Sequence, residues 1–390
     1  MRTCVKVALL LAGVAGLALL AGAPQPGSAD TGAAVAGGGR HTCALTPAGG
    51  LKCWGWNGYG QLGDGTTTDR STPVDVTGLT SGVAAVAAAW SHSCAVTTVG
   101  GLKCWGNNTY RQLGDGTNTD RSTPVDVTGL TSGVAAVAAG EYYTCALTTA
   151  GGLKCWGRNG YGQLGDGTTT DRSTPVDVTG LTSGVAAVAA AFEHTCALTT
   201  AGGLKCWGLN HLGQLGDGTT TNRLTPADVT GLTSGVAAAD AGQYHTCALI
   251  TPGGVKCWGG NDWGQLGDWT TTNRLTPVDV TGITSGVAAV AAGHYHTCAL
   301  NALTAGGELK CWGHNTYGQV GDGTATGRLT PVTVVGFEGF AVGGVAELPD
   351  LPRSPGPNYM ALAALAAAAL AVAAVALTAG AWYARRRWLR

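Results

Sequence analysis

Fifteen residues, His41-Thr-Cys-Ala-Leu-Thr-Pro-Ala-Gly-Gly-Leu-Lys-Cys-Trp-Gly55, return in close copy five more times, and no other feature of the chain constrains its fold as much. The tryptophans Trp54, Trp105, Trp156, Trp207, Trp258 and Trp312 lie 51 residues apart, with 54 for the last step. A unit of this size cannot bury its own apolar face and must stack on a neighbour. A fixed period of this length therefore means an array of like supersecondary units.

Inside the unit, two cysteines lie ten apart in five copies, around a glycine-rich centre. Setting Cys43 opposite Cys53 puts Ala44 opposite Lys52 and Leu45 opposite Leu51, which leaves Pro47, Ala48 and Gly49 as the tip of a hairpin. Directly opposed residues on antiparallel strands come close enough for a disulfide. The pairs expected are Cys43 with Cys53, Cys94 with Cys104, Cys145 with Cys155, Cys196 with Cys206, Cys247 with Cys257, and Cys298 with Cys311, whose three extra residues fit in the loop. The alternative is that each cysteine is a small buried hydrophobe. Disulfides are favoured because both members recur together and the context points to an oxidising compartment. No repeat has two close-spaced ligand pairs of the zinc kind.

Each unit offers four strands: Gly82–Ala88 and its counterparts, then His-Thr-Cys-Ala-Leu, then Leu-Lys-Cys-Trp-Gly, then a short fourth strand after the Gly-Gln-Leu-Gly turn. The alanine-rich segment is too short between its glycines for a stable helix and reads as an innermost strand, where only small side chains fit. Residues 64–73, Asp-Gly-Thr-Thr-Thr-Asp-Arg-Ser-Thr-Pro, read as a polar connection to the next unit.

The combined motif, His-Thr-x-Ala-Leu-Thr, a glycine turn, then Trp-Gly-x-Asn-x-Tyr-Gly-Gln-Leu-Gly, resembles the regulator of chromosome condensation repeat family across all six units. The resemblance implies an all-β chain folded as a β-propeller, one four-stranded blade per repeat, with radial closure protecting the sheet edges. Propellers of that family usually carry seven blades; here six are counted. Two segments compete to complete the ring, residues 33–38 and residues 340–345.

Comparison of the copies with one another carries the functional signal. Most of the unit is nearly uniform, but two windows vary. One precedes the second strand: Gly39-Arg40, Trp90-Ser91, Glu141-Tyr142, Phe192-Glu193, Gln243-Tyr244 and His294-Tyr295. The other follows the third strand: Trp56 and Tyr59, Asn107 with Tyr110 and Arg111, Arg158 and Tyr161, Leu209 and His211, Asp262 and Trp263, His314 and Tyr317. In an up-and-down blade both windows emerge at one end and the disulfide hairpin at the other. Drift in exposed turns would favour small polar residues; aromatics mixed with Arg, His and Asp are the composition of a contact surface. The candidate binding residues are Trp56, Trp90, Arg111, Tyr142, Arg158, Phe192, His211, Tyr244, Asp262, Trp263, Tyr295 and His314.

Two groups of residues suggest sharper sites. The Asp64–Asp69 loop has oxygen ligands of the kind calcium takes, but Asn222, Asn273 and Gly327 replace Asp69 in later copies, and turn formation explains the loop more simply. His41, His92, His194, His245 and His296 recur at one place, interrupted by Tyr143, and read as hydrogen-bonded structural histidines rather than a ring of metal ligands. No catalytic set stands out, so no enzyme, cofactor or metal is expected. A formal charge of -1 gives no basic excess for nucleic acid.

The ends read as targeting segments. Residues 1–29, with Arg2 and Lys6 before an apolar run and Ala21-Gly22-Ala23, form a signal peptide. The propeller is assigned to 30–347 and a proline-rich spacer to 348–359. Residues 360–383 are an uncharged apolar run, long enough for a transmembrane helix, and 384–390 a basic tail whose arginines hold it in the cytoplasm. The sequence is thus read as a cell-surface binding or scaffold propeller, anchored in the membrane by its C-terminal helix, that captures an unknown extracellular protein or ligand. The resemblance also suggests guanine nucleotide exchange on a small GTPase, or inhibition of a secreted enzyme. A cytoplasmic GTPase partner does not fit an exported, disulfide-bonded propeller.

Overall fold

The computed structural model describes residues 35–301 and 307–338; the signal segment, the spacer, the apolar run and the 340–345 strand lie outside them. Six antiparallel sheets of four strands follow one another, each built from strands consecutive in sequence. The first blade comprises β1 (Val35–Gly37), β2 (His41–Leu45), β3 (Leu51–Gly55) and β4 (Arg70–Asp75). No described helix is long and apolar enough to cross a membrane.

The cysteines set the register of the central hairpin. Cys43 faces Cys53, Ala44 faces Lys52 and Leu45 faces Leu51, with Thr46 and Gly50 closing the tip through a 2.8 Å backbone hydrogen bond. All six expected disulfides form, with Cα atoms 4.0 to 4.1 Å apart, the spacing of a non-hydrogen-bonded antiparallel pair. Alanine-rich segments such as Val83–Ala88 are the inner strands, as expected.

The outer strand differs from expectation. It runs Arg70–Asp75, beginning within the segment read as a connection, so residues 64–69 precede this strand rather than follow it. Pro73 lies within it, which is tolerated because the strand is an edge whose outer side needs no donor. The N-terminal candidate for ring completion takes its place: β1 pairs with β2, Ala36 opposite Cys43.

The core lies between blades rather than within them. One cluster joins Cys43, Leu51, Leu62, Val76 and Leu79 of the first blade to Val83, Val86, Ala95 and Trp105 of the second. The same junction carries a polar relay. His41 Nε2 lies 2.8 Å from Ser93 Oγ, and Ser93 Oγ donates to the main-chain oxygen of Gln61 at 3.0 Å. That oxygen also accepts from Trp105 Nε1 at 2.8 Å. The single hydroxyl proton goes to the carbonyl, so His41 donates from Nε2 and its Nδ1 is left bare, buried without a partner. His92 with Thr144, His194 with Thr246, and His245 with Thr297 repeat the relay. At the third junction Tyr143 replaces histidine; its hydroxyl donates to the His194 main-chain oxygen at 2.6 Å and accepts from Thr195. Burial without charge compensation pushes His41 down to about 4 and His92, His194 and His245 to about 3. They are neutral struts between blades.

Candidate functional site

The turn end is held by residues that do not vary. Asn57 is fully buried: its Nδ2 donates to the Thr66 and Thr68 main-chain oxygens at 3.0 and 3.1 Å, and its Oδ1 accepts from Leu62 N at 2.9 Å. Gln61 Oε1 accepts from Tyr59 N at 3.0 Å. Asn108, Asn159, Asn210, Asn261 and Asn315 make the same main-chain bonds in the other blades. The backbone carrying side chains 56 and 59 is therefore fixed from below, which leaves those side chains open to variation.

The oxygen-rich loop is occupied by its own bonds. Asp64 accepts from Thr66 N, Thr66 Oγ1 and the Arg70 guanidinium, and these hold its carboxyl below the usual range against the opposing effect of desolvation. Asp69 accepts from Asn57 N, and Asn222 and Asn273 do the same for Asn210 and Asn261 with an amide oxygen, so the loss of charge there changes nothing in the turn. Among the described residues no group of three or more metal-ligating side chains is clustered.

The two variable windows meet. Trp56 N donates to the Arg40 main-chain oxygen at 2.9 Å, and the equivalent bond links the windows in every blade. Gly55, at φ 111°, allows this approach, since a Cβ there would lie 2.6 Å from that same oxygen. Above this join the side chains touch one another. The Arg40 guanidinium lies over both Trp56 and Trp90, and Trp90 stacks on His294 of the sixth blade with ring centroids 5.5 Å apart. From His294 the contacts continue to Tyr295, Tyr244 and Phe192, with His211 against Tyr244. His314 joins Tyr295 to Trp263 and Tyr317.

A second group gathers on Arg158, which lies over Tyr110, Tyr142 and Tyr161 and pairs with Glu193 at 2.5 Å. Beside it, burial pushes the Glu141 carboxyl up to about 7, helped by the Glu193 carboxylate and opposed by the Tyr142 hydrogen bond and Arg158. Between the two groups opens a cavity of about 340 Å³, walled by Arg40, Trp56, Tyr59, Trp90, Tyr110 and Tyr142, with Ser91, Asn107 and Thr109 as polar lining.

Of the twelve candidate binding residues, ten fall within these two groups: Trp56, Trp90, Phe192, His211, Tyr244, Trp263, Tyr295 and His314 in the first, Tyr142 and Arg158 in the second. Arg111 and Asp262 are exposed and show no ring contact or ion pair among the described residues. Arg40 and His294 lie at the centre of the surface. Both stand in the variable windows, but only their contacts reveal that Arg40 bridges two indoles and that His294 spans from the sixth blade to the second. Trp269, 66 % exposed at φ 66°, stands where other copies have glycine in Asp-Gly-Thr, and copy comparison extended into that loop finds it.

Comparison with known proteins agrees with this architecture. The ultraviolet-B receptor UVR8 of Arabidopsis thaliana is 34% identical over 298 residues, covering 75% of this chain and 67% of the receptor. Human E3 ubiquitin-protein ligase HERC2 is 34% identical over 273 residues, 68% of this chain but 6% of the ligase, so the similarity spans a small part of that protein. The crystal structure of human WBSCR16 superposes with a TM-score of 0.67 at 25% identity, covering 77% of this chain and 80% of that one. The model of the RCC1-like domain matches residues 15–346, and the chain belongs to that family.

Proposed function

We propose that this chain is an exported, membrane-anchored propeller that captures an extracellular protein or other ligand with the turn end of its blades. One observation carries the reading: in the two windows where the copies differ, ten of the twelve candidate side chains join into two contact groups, several of the contacts running across blades. Aromatic and charged divergence concentrated on a joined surface, over a scaffold that stays nearly uniform, fits selection for contact better than drift. Its indoles and phenols, with Arg40 and Arg158 held among them, are the residue types that dominate binding energy at interfaces. A relative 34% identical to this chain is named as a receptor.

Export and anchoring rest on the sequence of residues 1–29 and 360–390, and six cystines suit an oxidising compartment. Nucleotide exchange needs a cytoplasmic partner that this placement denies. Protease shaving of intact cells tests the topology: the propeller is removed if it faces outward, and full protection contradicts the proposal. Capture is tested by photo-crosslinking from position 90 in the full chain on cells, where a discrete adduct is expected and a ladder of unrelated adducts opposes a specific partner.

A further inference from the structure

Every lysine and arginine among the described residues lies within ion-pair distance of a carboxylate, except Arg40 and Arg111. Arg111 stands apart on an exposed turn. Arg40 stands on the wall of the cavity, its guanidinium carbon 5.6 and 5.9 Å from the ring centroids of Trp56 and Trp90. The indoles attract its charge but offer no lone pair to its N–H donors. Among the described residues no aspartate or glutamate lines the cavity.

Two hydroxyls on the same wall also have bonds to give. Ser91 is 2 % exposed and lines the cavity, and its hydroxyl makes no hydrogen bond among the described residues. Thr109 Oγ1 accepts from Asn107 Nδ2 at 3.2 Å and passes its own proton to no described group. A ligand that fills the cavity must bond these groups or leave them buried and unpaired.

We propose that the cavity binds a hexuronate, the acidic sugar unit of a surface or secreted glycan, with its carboxylate on Arg40. The inference rests on the turn end being the binding face and says what that face takes at this point. Size is the first argument. A cavity of about 340 Å³ lies near the lower bound of small-molecule sites, about 300 to 1,000 Å³, and admits one ring-sized group rather than a length of chain.

Charge is the second. The planar guanidinium presents paired donors that match the two oxygens of a carboxylate. Arg158, the next cation on this surface, is already paired with Glu193, so a single positive charge is on offer, and a phosphate monoester brings close to two negative ones. The third argument is the distribution of polar groups. A pyranose carries C–H groups on its faces, which suit the negative π faces of Trp56, Trp90 and Tyr59, and hydroxyls on its edge, which suit Ser91 and Thr109. An aromatic acid, such as the last residue of a peptide, would keep the carboxylate and the ring contacts but set a hydrocarbon edge against both hydroxyls. The walls are also set before binding: Tyr59 lies edge-on to Trp56 at 5.3 Å, Trp90 stacks on His294, and Asn107 Oδ1 accepts from Gln112 Nε2 at 2.6 Å.

Saturation-transfer NMR on the full chain in detergent micelles tests this with D-glucuronate, D-galacturonate, D-glucose and N-acetyl-L-phenylalanine as probes. At least one hexuronate should bind more tightly than glucose. Arg40→Gln, a change at an exposed side chain, should weaken hexuronate binding about tenfold with the thermal midpoint unchanged. Glucose binding as tightly as the hexuronates, equal hexuronate affinity in Arg40→Gln, or no hexuronate binding would each overturn the proposal. Binding of N-acetyl-L-phenylalanine alone would also overturn it and assign the cavity to a peptide terminus. Cross-linking from position 90 separates this inference from the reading beneath it. A discrete adduct without hexuronate binding would refute the sugar and keep capture at the turn end, whereas loss of both would refute both.

Discussion

The two ends of each blade are made from one repeat and have been put to different uses. At the hairpin end Cys43–Cys53 and its five counterparts are opposed in the same register, and in the first five blades the tip residues hardly differ between copies. At the turn end the backbone is as uniform, held by Asn57 and Gln61, but the side chains above it change from copy to copy and join across blades. Rigidity is thus common to both ends, and variation is not. A repeat can diversify where side chains leave a fixed backbone outward, and cannot where they form the junction with the next repeat.

The sharpest challenge to that contrast is a junction tryptophan. Trp156→Ala removes a fully buried indole and its bond to Gln112 O, and should cost about 3 to 5 kcal/mol in urea unfolding. Trp54→Ala, whose indole is only half-buried, should cost roughly half as much or less. Equal losses would mean that burial of the indole between blades does not set its contribution. Next in size is the hairpin lock. Replacing Cys145 and Cys155 together by Ala should cost about 2 to 3 kcal/mol from loop closure alone, with capture of a partner unchanged. A loss of capture from this change would show that the ends are not independent.

Acid sharpens the contrast from the junction side. His41, His92, His194 and His245 are depressed below their unfolded value of 6.5, so the unfolded chain binds protons that the native chain refuses. Their contribution is fully present above about pH 6.5 and is lost as pH falls through that value toward 4 and 3. Thermal midpoints should therefore fall steadily from pH 7 to pH 5, and His92→Gln should reduce the slope by about one proton. A flat profile would mean that the struts accept charge. The smallest effect concerns Arg111, whose φ of 66° occupies the left-handed region that glycine fills at Gly60, Gly162, Gly213, Gly264 and Gly318. Arg111→Gly should stabilise by about 0.5 to 1 kcal/mol, measurable as a small rise in midpoint.

Much of this was legible before the structure, for identifiable reasons. A cysteine pair directly opposed across a hairpin leaves one register, so β2 and β3 could be placed residue by residue. The outer strand could not, because Arg70-Ser-Thr-Pro-Val-Asp75 is polar and holds a proline, and an exposed edge strand looks like a loop in sequence. The choice of β1 for the first blade was open because residues 33–38 and 340–345 have similar composition. At the candidate surface, copy comparison found the ring-bearing positions, but it sees residue types and not contacts. It therefore passed over Arg40, whose importance comes from sitting between two indoles, and included Arg111 and Asp262, which the fold leaves apart.

The most direct measurement compares capture by two variants of the full chain. One carries Trp90→Ala, Phe192→Ala and Tyr244→Ala at the turn end; the other carries three alanine or serine changes at hairpin tips, Pro47→Ala, Thr98→Ala and Thr149→Ser. The account predicts that the first loses its partner while keeping its thermal midpoint, and that the second binds as the parent does. Equal loss from both, or full binding by the first, would contradict it.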